Sequence, residues 1–324
     1  MKKILTINAP ARIHFGFLDL EEDSSRKYGS LGLTISNFSY KIKIESCLNN
    51  KVVCKNKFLA SKIKKIIKEF SEITNLENCK ITVFSEIPMH HGLGSGTQLA
   101  LSVGQLLCKF NNLKIGTNKI ACLLGRGQRS GIGIESFRNG GFNIDVGKIK
   151  SSNDVPLNIL NLKWPQEWAI ILILDENLTG THGKKEIEEF RRLKKVKKNQ
   201  TNINCKSLLM KIIPGIIEKK FNEFSSGIRI IQDNMSKIFY GSTNKVASEL
   251  IQNIFKELRK NKIFSYGQSS WGPTGFVVCE NLKKRNELLN FIENYINLNN
   301  MNGLKLVEVE GKNIGKNIIK KEEI

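Results

Sequence analysis

A glycine-rich segment, residues 88–100 with the sequence PMHHGLGSGTQLA, carries the clearest chemistry in this chain. It follows a predicted strand and precedes an apolar helix. Its glycines permit positive φ angles and close backbone approach, so N–H groups at the helix N-terminus can face an anion. Its hydroxyl groups are additional donors and potential magnesium ligands. We therefore predict a phosphate-binding loop formed by Gly92, Leu93, Gly94, Ser95, Gly96, Thr97 and Gln98.

The spacing of this loop excludes two common phosphate-binding motifs. The Walker pattern GxxxxGK[ST] is absent, and the glycines follow a G-x-G-x-G spacing that differs from the dinucleotide fingerprint. The structural alternative is an ordinary glycine-rich turn that binds nothing.

Three segments resemble, in the same order, the motifs of the GHMP kinase superfamily. Residues 9–16 (APARIHFG) are similar to its N-terminal motif, residues 88–100 to its P-x-x-x-G-L-G-S-S-A motif, and residues 267–276 (GQSSWGPTGF) to its C-terminal glycine-rich motif. The resemblance implies an α+β, two-domain GHMP-kinase-like fold with the ligand cleft between the domains.

Within that superfamily, the chain resembles most specifically the β-ribofuranosylaminobenzene 5′-phosphate synthase family, whose members are not kinases. The resemblance rests on residues 12–20, 92–104, 125–147 and 267–274. It implies a Mg²⁺-dependent phosphoribosyl transfer, in which 5-phosphoribosyl 1-pyrophosphate (PRPP) condenses with 4-aminobenzoate or 4-hydroxybenzoate. CO2 and pyrophosphate leave, and the product lies on the path to methanopterin. The enzyme would be a decarboxylating glycosyltransferase.

The alternative within the superfamily is an ATP-dependent small-molecule kinase. GHMP kinases commonly carry an aspartate base in an S-G-[IV]-D context, but here Ser130-Gly131-Ile132 is followed by Gly133. Glu135 lies two residues later and offers a base at a different geometry. The second serine of the kinase loop is replaced by Gly96. The pattern therefore favours a transfer with a pyrophosphate leaving group, which needs phosphate donors, a metal and cations.

Such a reaction passes through an oxocarbenium-like ribose carbon and needs a site rich in arginine with a few acids. The candidates for catalysis are Arg12, His14, Asp19, Arg126, Arg129 and Glu135. The candidates for substrate binding are Arg138, His182, Ser269, Ser270 and Trp271. Ser95 and Asp19 are the candidate metal ligands. For each of these residues a structural ion pair, a cap or core packing is the alternative.

Four other features are weaker. Asp145 lies in a predicted strand and is a candidate on position alone, while His90 and His91 flank the loop and are expected to play supporting roles. Residues 170–181 faintly resemble the PRPP-binding motif of type I phosphoribosyltransferases through the acid pair at 175–176. Their sparse glycine fits that motif poorly, so we interpret the similarity as coincidence.

The elements that must position these residues can be read from hydrophobic periodicity. A first strand is predicted over Ile4–Ala9, ending at Pro10, and a second over residues 38–46. Further strands are predicted at 80–84, 142–146, 169–174 and 304–310, and helices at 61–70, 99–110, 119–125, 208–221, 247–258 and 282–297. A break between Gly147 and Trp164 predicts two domains, 1–160 with the phosphate-binding loop and 161–324.

Composition limits the other classes of function. The formal net charge is +21, but it comes from 41 lysines against 10 arginines spread along the chain. This spread favours a compositional bias over a nucleic-acid-binding patch, although a positive field helps attract anionic substrates. The seven cysteines include no C-x-x-C pair. We expect a cytoplasmic protein without a membrane span, and a homodimer is the commonest oligomer to expect.

Overall fold

The computed structural model describes residues 2–21, 25–178, 180, 188, 198–240, 248–270 and 272–323. Two of the predicted substrate-binding residues, His182 and Trp271, lie outside these ranges. Within them, none of the helices combines the length and apolarity that crossing a bilayer requires.

Within the described ranges, the larger sheet has eight strands and carries the first part of the site. Its strands are β1 (Lys2–Asp19), β2 (Arg26–Ser46), β3 (Lys51–Val53), β4 (Cys79–Ser85), β5 (Phe142–Asp145), β6 (Lys148–Ile149), β7 (Asn158–Leu162) and β12 (Asn317–Glu323). The main order is β12-β1-β2-β4-β3, with β5 and β6 also paired to β2, and β7 paired to β5. All pairs are antiparallel except β3 with β4.

The smaller sheet has four antiparallel strands in the order β11-β8-β10-β9. They are β8 (Ala169–Asp175), β9 (Tyr266–Gln268), β10 (Thr274–Cys279) and β11 (Leu304–Glu310). Every residue of β8 is buried, because core clusters cover both faces of this strand. This explains why its sequence is a continuous apolar run without alternation.

Helices cover both sheets. They are α1 (Lys57–Ser71), α2 (Ser95–Phe110), α3 (Thr117–Leu123), α4 (Ile132–Arg138), α5 (Lys198–Ser207), α6 (Ile213–Ile217), α7 (Phe221–Tyr240), α8 (Glu249–Lys260) and α9 (Leu282–Leu298). A π-helical turn, Leu208–Ile212, joins α5 to α6. The helix predicted over residues 208–221 is therefore two short pieces, and Pro214 stands at the start of the second.

Strand β1 is much longer than predicted. The expectation that it ends at Pro10 is wrong, because the chain continues in the sheet to Asp19. The register shifts between Pro10 and Arg12, and again between His14 and Gly16. These shifts allow the strand to continue past Pro10, which has no backbone N–H to donate to a ladder hydrogen bond. The extension carries Arg12 and His14 into the centre of the molecule.

The C-terminal segment returns to the larger sheet, which the sequence did not predict. Strand β12 pairs with β1 over seven residues, from Lys2↔Glu323 to Asn8↔Asn317. The core is also shared, since Phe15 and Phe142 of the first sheet pack against Phe224 and Trp164. The division at residue 160 stays a prediction. The structure adds that the end of the chain, strand β12, returns to the sheet of the first part.

Candidate functional site

The N-terminus of α2 is the centre of the site. The helix begins after Gly94, whose φ of +81° is in the left-handed region that glycine tolerates, and no side chain of the described residues caps it. The N–H groups of Thr97 and Gln98 bond to the Gly94 carbonyl at 3.1 and 3.0 Å. Ser95, the first residue of the helix, is 6% exposed. Together the backbone dipoles and the Ser95 hydroxyl make the N-terminus of α2 attractive to an anion.

The two glycine-rich loops pack backbone against backbone. A Cβ on Gly92 would lie 2.1 Å from the carbonyl oxygen of Ser269, and one on Gly272 would lie 2.2 Å from Gly92 N. The Ser269 hydroxyl donates to the Gly92 carbonyl at 2.7 Å and accepts from the His14 N–H at 3.0 Å. Three segments that are far apart in the chain therefore meet at one point. This is expected if the three motifs that they resemble form a single site.

Two of the predicted arginines lie against this loop. Arg12 donates from its backbone to Leu93 O at 3.1 Å and from its guanidinium to Gly92 O, and it packs against Gly94. Arg126 lies beside Gly96, where an added Cβ would be 3.4 Å from its guanidinium nitrogen. The structure thus brings these two predicted side chains to the start of α2.

Lys62 on α1 is a further cation near Arg126, and sequence reasoning missed it. Its pKa is lowered, first by partial burial and then by repulsion from Arg126. The aliphatic spacing of α1 pointed only to a core helix, so nothing in the sequence marked this lysine. Two like charges held together beside a helix N-terminus favour a bound anion.

Two buried or half-buried histidines, His14 and His91, lie in the segments that form the site. The pKa of His14 is lowered well below its usual value by complete burial and then by the nearby Arg12, so its ring is neutral at physiological pH.

Burial also lowers the pKa of His91, against an opposing effect of Asp175 and Glu176. The acid pair that we interpreted as a coincidental motif therefore lies near the phosphate loop, and Gly180 N–H donates to His90 O at 2.8 Å.

Gly133 stands where a kinase of this superfamily would place its aspartate, directly against the loop. A Cβ at this position would lie 3.1 Å from the methyl group of Thr97, a tight contact that would require Thr97 to shift. The carbonyl of Gly133 accepts from the Gln98 side chain at 2.7 Å. The site therefore offers no carboxylate from this position of α4.

Glu135 and Arg138 are not brought to the loop. Glu135 lies about 200° round the helix from Gly133, at the usual 100° per residue. It accepts from Arg138 at 2.7 Å and from Asn139 at 3.1 Å. Desolvation raises the pKa of Glu135, partly offset by Arg138. Both side chains line a separate cleft on the far side of α4, so the structure gives them a structural ion pair.

Asp19 is also remote from the phosphate loop. The extended strand between Arg12 and Asp19 spans about 20 Å at the usual rise per residue. The Asp19 carboxylate accepts from the Glu21 N–H at 2.7 Å and from the Thr201 hydroxyl at 3.3 Å. Ser95 and Asp19 are therefore not brought together as a pair of metal ligands. Arg129 is half-buried in the segment that precedes α4.

A cavity of about 430 Å³ opens beside the loops, between the end of β1, helices α7 and α8, and strand β9. Ser270 lines it, as do His14 and Gln268. Gln232 of α7, which sequence reasoning missed, holds this region together: its amide donates to Phe15 O at 2.6 Å and accepts from Gln268 N–H at 2.9 Å. An isolated glutamine in an amphipathic helix gives no sequence signal of such a role.

Comparison with known proteins agrees with this geometry. Residues 61–144 match the family model described as the GHMP kinases N terminal domain. The chain is 31% identical over 299 residues to the β-ribofuranosylphenol 5′-phosphate synthase of Methanocaldococcus jannaschii, covering 83% of this chain and 88% of that protein. It is 27% identical over 295 residues to the synthase of the same name from Methanothermobacter thermautotrophicus, covering 85% and 89%.

Solved structures share the fold at low identity. Mevalonate diphosphate decarboxylase from Staphylococcus aureus superposes with a TM-score of 0.69 at 14% identity, covering 98% of each chain. Homoserine kinase from Cytophaga hutchinsonii gives 0.64 at 12% identity, covering 98% of this chain and 97% of that one. The predicted α+β, two-domain fold is confirmed, and so is the predicted family resemblance. The chain belongs to the β-ribofuranosylphenol 5′-phosphate synthase family, which is built on the GHMP kinase fold.

Proposed function

We propose that this protein condenses PRPP with 4-hydroxybenzoate and releases CO2 and pyrophosphate, which forms β-ribofuranosylphenol 5′-phosphate for methanopterin biosynthesis. The observation that carries the proposal is the similarity to two synthases of that name along more than four fifths of the chain. Their names specify a phenol, which favours the hydroxy acid over the amino acid. Gly133 supports the same reading, because the loop keeps its anion-binding groups without the carboxylate that a kinase needs.

The pyrophosphate of PRPP is proposed to bind at the N-terminus of α2. There the uncapped helix end, Arg12, Arg126 and Lys62 provide positive charge. Arginine binds phosphate oxygens with two parallel hydrogen bonds, which also orients the group. As the glycosidic bond breaks, negative charge develops on the leaving pyrophosphate, and these fixed donors stabilise it.

Mg²⁺ is the cofactor that we propose to accompany PRPP, and the donor set fits it. Within the described ranges, no three His, Cys, Asp or Glu side chains converge to hold a metal. Mg²⁺ needs no such cage, because it is usually held by one or two protein oxygens together with substrate phosphates. Ser95 and Thr97 provide hydroxyl oxygens at the loop. When bound, the ion would neutralise charge on the leaving pyrophosphate.

The bond changes balance without a general base. The C1–O bond of PRPP breaks as pyrophosphate leaves, and the ring carbon that bears the carboxylate bonds to C1 of the ribose. The bond from that carbon to the carboxylate then breaks, and its electron pair restores the aromatic ring as CO2 departs. Since CO2 leaves in place of a proton, the absence of a carboxylate at Gly133 is compatible with the reaction.

The experiment follows both products. Purified protein is incubated with Mg²⁺, PRPP and carboxyl-labelled 4-hydroxybenzoate, with 4-aminobenzoate in a parallel reaction, and labelled CO2 and pyrophosphate are measured. We expect equal amounts of both products, with the hydroxy acid preferred. ATP consumption with a sugar or alcohol, and no CO2 from either acid, would establish the kinase instead.

A further inference from the structure

The cavity beside the loops has a character distinct from the phosphate-binding loop. Its walls include the apolar side chains of Phe17 and Met235 and the aromatic rings of Phe255 and Tyr266, which stack with centroids 4.6 Å apart. Its volume of about 430 Å³ is within the range of small-molecule sites. The apolar and aromatic part of this wall fits the face of a flat organic ligand.

One buried polar group in this cavity needs a partner. His14 is 2% exposed, and its Nδ1 accepts from the Gly16 N–H at 3.2 Å. That bond assigns the ring proton of the neutral imidazole to Nε2. Among the described residues, Nε2 has no hydrogen-bond partner. A buried donor without a partner is unfavourable, so Nε2–H calls for an acceptor atom on a ligand.

The rim of the cavity is positively charged. Among the described residues that line it, Lys237, Lys256 and Arg259 stand against one carboxylate, that of Asp233. Arg259 pairs with Asp233 and donates to the Tyr266 hydroxyl at 3.2 Å, which fixes this side of the opening. The surplus of positive charge favours entry of an anion, so the ligand that fits the walls, the rim and the buried donor is an aromatic acid.

We propose that this cavity binds the aromatic acid of the reaction, with the carboxylate accepting from His14 Nε2–H and the ring against Phe17 and Met235. The proposal rests on the proposed function and assigns it a second subsite. His14 connects the cavity to the phosphate-binding loop, since its backbone N–H donates to the Ser269 hydroxyl and that hydroxyl donates to Gly92 O. The ring carbon that attacks the ribose carries the carboxylate, so that end of the acid must face the loop.

The neutral state of His14 suits the step that follows. Loss of CO2 moves negative charge from the carboxylate into the ring. A cation paired with the carboxylate would stabilise the charge where it starts and oppose that movement. A neutral N–H donor orients the carboxylate with a weaker bond, which opposes the loss of CO2 less.

Two variants of His14 test the donor. In His14→Phe the aromatic ring stays and the N–H is lost, and in His14→Gln a side-chain N–H is retained. Binding of 4-hydroxybenzoate is measured by calorimetry and its KM by turnover, with melting temperature as the check on folding. We expect His14→Phe to raise both Kd and KM for the acid at least tenfold and His14→Gln to recover most of the loss. Inhibition by 4-methylphenol, which has no carboxylate, should change less than about twofold.

A second variant tests the cavity without touching His14. Ser236 lies on α7, is half-buried and lines the cavity, so Ser236→Trp should fill it. We expect loss of acid binding with little change in KM for PRPP. The matched control is Ser152→Trp, which adds the same ring to the cleft on the far side of α4 and should leave both constants unchanged. Wild-type binding of the acid by both His14→Phe and Ser236→Trp would overturn the proposal.

The two proposals fail in different ways. If the wild-type protein releases no CO2 from PRPP and 4-hydroxybenzoate, the proposed function fails. The calorimetric measurement on the protein alone still decides whether the cavity binds the acid through His14. If CO2 is released normally but neither substitution changes the constants for the acid, the function stands and the cavity assignment fails.

Discussion

Two regions on opposite sides of α4 both contain an arginine, but the charged neighbours of these arginines differ. At the phosphate-binding loop, Arg126 and Lys62 are held close together beside a helix N-terminus. In the cleft on the far side, Arg138 is bonded to the buried Glu135. An anionic ligand lowers the repulsion between neighbouring cations, whereas Glu135 already offsets the charge of Arg138. Arg138 is thus a structural partner of Glu135, whereas Arg126 lies where we propose that the pyrophosphate binds, although both arginines lie in the segment that resembles the synthase family.

The largest expected effect comes from a substitution that disrupts the backbone contact between the two glycine-rich loops. Gly92→Ala places a Cβ 2.1 Å from Ser269 O at a φ of +74°, so both sterics and backbone conformation oppose it. We expect activity to fall at least about 100-fold, because small misplacement of binding groups has effects of that size. Gly116→Ala is the control, since a Cβ there meets nothing within 4 Å. Retained activity in Gly92→Ala would show that the loops do not need this contact.

Arginine substitutions on the two sides of α4 give the next contrast. Arg12→Ala removes a cation at the loop and should lower kcat/KM for PRPP by about 10- to 100-fold, the usual size for a charged hydrogen bond. Arg138→Ala should leave kcat/KM within about twofold and instead lower the free energy of unfolding by about 1–2 kcal/mol, because Glu135 loses its partner. Steady-state kinetics and denaturant unfolding measure the two effects. The reverse pattern would exchange the roles of the two regions.

A smaller effect is expected from the hydroxyl at the start of α2. Ser95→Ala should raise KM for PRPP by about tenfold, with little change in melting temperature, since one donor to an anion is lost. Ser102→Ala on the same helix is the control, because its buried hydroxyl has no partner among the described residues. Unchanged kinetics in Ser95→Ala would remove this hydroxyl from the site.

Asp145, which accepts from the Gly131 N–H at the start of α4 at 3.0 Å, should affect how stability depends on pH. Burial raises the pKa of Asp145 to about 6, against bonds from Ser30, Gly147 and Gly131. Its folded-state pKa is above the unfolded value, so its contribution to stability is complete below pH 3.8 and is lost as pH rises through 6. Between these limits the free energy of unfolding should fall by about 3 kcal/mol.

Asp145→Asn isolates this effect from the other titrating groups. We expect the difference in unfolding free energy between wild type and variant to change steadily from pH 4 to pH 7 and then to level off. Denaturant titrations at several pH values measure it. A constant difference would mean that Asp145 has the same pKa in the folded and unfolded chain.

Local sequence determined the elements and the anion-binding loop. Gly92 and Gly94 have positive φ angles, and Gly92 also has a close backbone contact; these requirements are visible in the residue types themselves. The buried strand β8 was equally clear from its apolar run. The same signals failed at Pro10, where a register shift that depends on the partner strand allows β1 to continue. They also failed at β12, whose lysine-rich sequence does not alternate.

Only the tertiary structure decided which polar residues share a site. Arg12 and Arg138 are equivalent in sequence terms, but one reaches the loop and the other is paired on the far side of α4. Lys62 and Gln232 carry no sequence signal, because their roles come from neighbours on other elements. The sequence by itself therefore specified the family and the phosphate-binding loop, whose chemistry is local. The cavity and the orientation of His14 depend on contacts between distant segments, which residue types and spacing do not encode.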